Sequence, residues 1–143
     1  MFHTIIIVGN LGRDPEMRYT PSGQAVTSFS VATNRSYTGN NGQMVKETIW
    51  FRVSAWGKQA ETCNNYLRKG SKVLVEGRLQ ADPNSGGPRT YSRQDGTTGS
   101  NFEVVASTIR FLTPKSGDDE GGMGSVGGGE DFAGQSVEDE IPF

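Results

Sequence analysis

Residues 48–56, TIWFRVSAW, alternate between two kinds of side chain at every step, and a period of two is the signature of a β-strand. Ile49, Phe51, Val53 and Ala55 fall on one face and form a core surface. Thr48, Trp50, Arg52, Ser54 and Trp56 fall on the other, which is polar, carries a cation, and yet holds both tryptophans of the chain. Any fold built around this strand must cover the first face and give the second something to do.

The flanking sequence supplies the cover. Thr4 to Val8 is a β-branched run that reads as a strand ending at Gly9, and the following GRDPEMRYTPSG reads as a hairpin or strand extension punctuated by Pro15, Pro21 and Gly23. Gln24 to Tyr37 is a second strand, with Phe29 and Val31 inward. TGNNGQ is turn chemistry before a third strand, Met44 to Trp56. Ala60, Cys63 and Leu67 recur at helical spacing in KQAETCNNYLRKG, where Gly70 marks the stop. Lys72 to Leu79 is a fourth strand, with Val73, Val75 and Leu79 inward around Gly77. The polar stretch QADPNSGGPRTYSRQDGTTGSN then leads to a last strand, Phe102 to Leu112. Five short strands with a helix between the third and fourth is the layout of an OB-fold, a five-stranded Greek-key barrel. An α+β sandwich accommodates the same order.

Residues 1–112 are therefore read as the folded domain. Residues 113–143 hold eight glycines and few large apolar residues, so they cannot bury enough surface to offset chain entropy and are read as a disordered acidic tail. The charge divides at the same boundary. Residues 1–112 carry thirteen Lys and Arg against eight Asp and Glu, a net of +5, and residues 113–143 carry one Lys against eight acids, a net of −7. A basic body with an acidic tail is a common pattern among nucleic-acid proteins and also occurs without that function.

Several function classes lose ground at once. One histidine, His3, and one cysteine, Cys63, cannot assemble a Ser-His or Cys-His centre or a His/Cys metal site, and the carboxylates are scattered without a cluster. No enzyme, metal or cofactor is expected, although a carboxylate-metal nuclease is the form a catalytic reading would take. GMGSVG, Gly122 to Gly127, matches the dinucleotide-loop string but lies among acids, with no strand before it or helix after it. Cys63 fits the buried side of the helix. The N-terminal apolar run lacks the features of a signal peptide, and no stretch approaches the roughly 20 apolar residues that span a bilayer, so a cytoplasmic protein is expected.

What remains is binding. Trp50 and Trp56 on one strand face, with Arg52 between them and Lys46 at the same parity, suit base stacking along a basic groove; a subunit interface is the competing use of such a face. Duplex DNA hides its base faces, so the implied ligand is single-stranded. Tyr37 beside Arg35, and Tyr91 between Arg89 and Arg93, are further stacking candidates, the latter on a flexible arm. Arg13, Arg18, Arg35, Lys46, Arg52, Lys58, Lys72, Arg78, Arg89 and Arg93 are the candidate phosphate contacts. An OB-fold RNA binder and a pure interaction scaffold are the rival binding readings. At the chain end, Glu138, Asp139, Glu140, Ile141, Pro142 and Phe143 combine acids with an apolar tip on a glycine-rich tether, a pattern that suits capture by a partner protein.

VGNLGRDPEMRYTPSG, ATNRSY, WFRVSAWGKQAE, YLRKGSKVLVEGRL and the end EDEIPF together resemble the bacterial-type single-stranded DNA-binding proteins, over residues 4–112 and again at the tip. The resemblance implies an OB-fold that assembles as a homotetramer and wraps single-stranded DNA without sequence preference. It also implies roles in replication, recombination and repair at the nucleoid, with partner enzymes recruited through the acidic tip. By the same resemblance Trp50 matches a stacking tryptophan, Trp56 stands where a stacking phenylalanine is frequent, and Tyr37 stands where a tryptophan is frequent. The sequence departs from the pattern in two places. RLQADPNSGG lacks the tryptophan many members carry after the fourth strand, with Tyr91 as the candidate substitute, and Phe51 replaces a histidine that some members place at a subunit interface.

Overall fold

The computed structural model describes residues 1–113; the glycine-rich segment and the 138–143 tip lie outside the described residues. Seven strands and one helix follow in order: β1 Ile5–Leu11, β2 Glu16–Tyr19, β3 Ala25–Thr38, β4 Met44–Trp56, α1 Lys58–Tyr66, β5 Lys72–Gln80, β6 Arg89–Ser92 and β7 Thr98–Phe111. Five of them close a ring. β1 pairs with β5, β5 with β7, β7 with β4 and β4 with β3, and β3 returns to β1 through Asn10–Ala32 and Leu11–Val31. Every ladder in the ring is antiparallel except β4–β7. A closed five-stranded barrel with its helix between the third and fourth barrel strands is the OB-fold, which removes the sandwich alternative. β2 extends β3 and β6 pairs with β7, both outside the ring.

Inward residues of successive strands fill the barrel: Ile7, Leu11, Phe29, Val31, Val53, Val73, Val75 and Val104 are buried. Ala60 and Cys63 bring α1 onto the same core, as their spacing predicts, and Leu67, just past the end of the helix, is buried with them. Thr27 is buried with them and donates its hydroxyl to the Ala60 carbonyl at 2.7 Å, so helix and barrel are joined by a satisfied polar contact. Among the described residues no helix is long and apolar enough to cross a membrane.

Several expectations need correction. β1 runs through Gly9 instead of stopping there; a Cβ on Gly9 would collide with the Ala32 carbonyl, so the glycine serves close passage of β3 across β1. α1 ends at Tyr66, four residues before Gly70. Leu67 turns extended and buries, while Gly70, at φ 86°, serves the turn that leads into β5. The polar arm after β5 is not irregular throughout: β6 forms a hairpin with an N-terminal extension of β7, beginning at Thr98. The inward faces also reach beyond the barrel. Val53 and Ala55 are buried, but Ile49 and Leu79 are exposed because β3–β4 and β5 outrun the ring.

Candidate nucleic-acid interface

The β3–β4 ladder keeps one register from Val26–Trp56 to Thr38–Met44, so the parity read from TIWFRVSAW holds along its whole length. Trp50 pairs with Ala32, Arg52 with Ser30, Ser54 with Ser28 and Trp56 with Val26. All four β4 residues point out of the barrel, and the two indoles are 52% and 41% exposed. Five residues separate them, so the two lie about 20 Å apart along the strand. The small Ala32 leaves room for Trp50, whose ring edge rests on the Gly12 backbone.

Neighbouring strands widen this surface. β2 places Arg18 opposite Val26, in line with Trp56, and Glu16 opposite Ser28, in line with Ser54. On the other side, the parallel ladder sets Glu103 beside Arg52 and Val105 beside Ser54, and β5 adds Arg78 opposite Val105. Between the tryptophans lies a shallow depression lined by Arg13, Asp14, Glu16, Ser28, Ser30 and Arg52. Asp14 is not free to face a ligand fully, because it accepts the Lys69 backbone N–H at 2.8 Å. The result is an outward trough with an aromatic platform at each end and guanidinium groups between, which can stack unpaired bases and neutralise the phosphates that link them.

The other predicted residues divide. Lys46 shares the trough face, opposite Ser36, and Lys58 opens α1 two residues after Trp56. Lys72 lies in the same outward row as Trp50 but three strands round the barrel, through Asn10 and Ala32. Tyr37 and Arg35 do not join the trough: their odd parity puts them on the opposite face of the projecting β3–β4 hairpin. There the Tyr37 hydroxyl donates to Glu47 at 3.0 Å, and the Arg35 guanidinium sits 5.0 Å from its ring centre. The hydrogen bond to Glu47, reinforced by that carboxylate's charge, raises the Tyr37 hydroxyl above its ordinary pKa.

On the second hairpin the Tyr91 hydroxyl end rests on Gly99, directly across the ladder, and Arg93 lies 5.7 Å from the ring centre. Arg93 also donates to the Thr97 hydroxyl, and Arg89 is ion-paired with Glu103 at 3.5 Å. Both tyrosines therefore already carry a guanidinium over one ring face. The partner-binding residues Glu138 to Phe143 lie outside the described residues.

Gly12 was missed by sequence reasoning. In NLGRD it reads only as a turn glycine, because its contact with Trp50 spans strands far apart in the chain. Among the described residues no group of three or more His, Cys, Asp or Glu is placed to hold a metal.

The chain is similar to known proteins along the residues that build this fold. The model of the single-strand binding protein family matches residues 2–112. The single-stranded DNA-binding protein of Neisseria meningitidis serogroup A is 41% identical over 108 residues, 76% of this chain and 58% of the relative. The single-stranded DNA-binding protein A of Bacillus subtilis is 41% identical over 127 residues, 89% of this chain and 67% of that one. A crystal structure of a deletion mutant of the single-stranded DNA binding protein from Thermus aquaticus aligns with a TM-score of 0.60 at 29% identity, covering 78% of this chain and 51% of the other. The chain thus spans less than two thirds of the Neisseria and Thermus proteins it matches.

Proposed function

This chain belongs to the single-strand binding protein family, and on that premise we propose that it binds single-stranded DNA without sequence preference, as a binding protein with no reaction of its own. One observation carries the reading: two half-exposed tryptophans share an outward strand face with Arg52 between them. Each base stacked on Trp50 or Trp56 contributes roughly 1–3 kcal/mol, and Arg13, Arg18, Arg52 and Arg78 add the salt-dependent part. Stacking uses the π-face common to all bases, which is why sequence is not read. Tyr37 and Tyr91, with Arg35, Arg89 and Arg93, extend the site onto the two hairpins, so a strand reaching them must wrap around the barrel. Lys46, Lys58 and Lys72 contribute charge along that path.

Self-assembly to a homotetramer belongs to the same proposal. Ile6, Val8 and Leu74 form an outward apolar patch across β1 and β5, and β1 meets β3 only at Asn10 and Leu11, so much of its other edge is open to pairing. Residues 138–143 would serve as the handle by which replication, recombination and repair enzymes are recruited to DNA in the cytoplasm at the nucleoid. Their acids would meet a basic rim, and Ile141 and Phe143 an apolar pocket.

The test is intrinsic tryptophan fluorescence during titration with oligo(dT). Quenching by single strands and not by duplex, reduced in Trp50→Ala and Trp56→Ala, is expected. Unquenched fluorescence at saturating DNA in the folded wild type would overturn the reading. Equal competition by RNA of the same sequence would replace DNA with single-stranded nucleic acid in general.

A further inference from the structure

A second concavity, of about 190 Å³, opens on the far side of β7 from β4. Strand pairing explains why it exists. β5 follows β7 as far as Gln80–Glu103, and β6 resumes on the same edge at Arg89–Asn101. The segment 81–88 is left to span a gap of one β7 residue, Phe102. It cannot follow the ladder and arches away, braced by Asp82: its carboxylate accepts the Asn84 and Ser85 N–H groups, and its own N–H and C=O pair with Gly87 and Gly86. Phe102 is left 49% exposed under the arch and Leu79 45% exposed beside it, with Ala81 and Pro88 completing the apolar lining.

The remaining lining selects the occupant. Gln80 and Asn101 bring side-chain amides that make no hydrogen bond to any described residue, and Glu103 brings a carboxylate ion-paired with Arg89. A carboxylate beside the cavity disfavours a phosphate. An apolar wall with unused amide donors and acceptors fits a flat, neutral heterocycle with a polar edge. The cavity borders the trough from its other face. The parallel ladder pairs Phe51 with Phe102 and Arg52 with Glu103, so Glu103 stands beside the trough while Phe102 shares the face of Phe51 and, through the β3–β4 register, of Arg35 and Tyr37. The Phe51 ring, 6.0 Å away and tilted 45°, supports Phe102 from the β4 side.

We infer that this slot receives one unstacked base of the bound strand, stacked on Phe102 and hydrogen-bonded at its edge by Gln80 and Asn101. The inference rests on the proposed single-strand binding and adds a third platform to it, on the strand face opposite Trp50 and Trp56.

The experiment uses the full chain and oligo(dT) carrying 5-iodouracil, with photocrosslinks mapped by mass spectrometry, alongside affinities of Phe102→Leu, Phe102→Tyr and Trp50→Ala. Phe102→Leu keeps an apolar side chain against Phe51 and removes the ring. A crosslink on the peptide that carries Phe102 is expected. Affinity should fall roughly 5- to 150-fold in Phe102→Leu, with recovery in Phe102→Tyr. Wild-type affinity in Phe102→Leu, with Trp50→Ala still weakened, would overturn the slot and leave the trough standing. No crosslink anywhere and no loss in either variant would overturn single-strand binding itself. Loss of assembly in Phe102→Leu without a crosslink at Phe102 would make the slot a subunit contact and overturn the inference.

Discussion

The outer edge of the Trp50 indole rests on the α-carbon of Gly12, so that a Cβ added there would lie 2.5 Å from Cζ3 and 2.6 Å from Cη2. The first turn after β1 thus sets the pose of the aromatic group on β4. Gly12→Ala should leave the barrel folded, since Gly12 is not among the positive-φ glycines, but it must swing the indole off its seat. The expected cost is up to one stack, ~1–3 kcal/mol of oligo(dT) affinity, with a changed tryptophan emission. In a Trp50→Ala background the same substitution should cost nothing further, which a double-mutant cycle by fluorescence anisotropy checks.

Arg52 and Arg18 stand in line with the tryptophans and make no ion pair among the described residues. Each phosphate they neutralise on a single strand contributes about −0.7 to the slope of log K against log salt. Arg52→Ala and Arg18→Ala should each make that slope shallower by about 0.7. Unchanged slopes in a salt titration would place both side chains off the DNA path.

Burial pushes the Cys63 thiol from 9.0 up to about 11. A folded-state pKa above the unfolded value means that the neutral thiol favours folding below pH 9, and that this contribution is lost as pH rises through 11. Urea unfolding of wild type should therefore weaken between pH 9 and 11 more steeply than that of Cys63→Ala, by on the order of 1–3 kcal/mol across the window. Parallel pH profiles would show that the thiol is not the group responsible.

Ile6 and Val8 are exposed on adjacent outward positions of β1, each across from β5. If assembly covers them, Ile6→Lys or Val8→Lys should cost ~1–3 kcal/mol per site and shift sedimentation equilibrium toward smaller species. The tryptophan quenching of each subunit should survive.

The alternation around Trp50 was legible because side-chain parity is a local property of an extended chain, and the hydrogen-bond register then preserves it. The same held for Ala60 and Cys63, whose helical spacing needs no knowledge of the fold, whereas Leu67 is buried from an extended residue past the helix end. Tyr37 was read onto the tryptophan surface from its neighbour Arg35 alone; its parity with the inward Phe29 and Val31 marks the other face, and the β3–β4 register puts it beside Glu47 on the reverse of the hairpin. β6 was missed because RTYS has no apolar period; it is a strand because β7 offers it an edge.

The sequence by itself therefore determined the barrel strands, the inward and outward faces, and the pair of tryptophans left outside, since each follows from short-range periodicity and side-chain chemistry. Tertiary structure alone decided that Gly12 seats Trp50, that β3–β4 and β5 outrun the barrel and expose Ile49 and Leu79, and that segment 81–88 arches over Phe102. These depend on where ring closure ends each ladder, a condition on strands distant in sequence that no local pattern encodes.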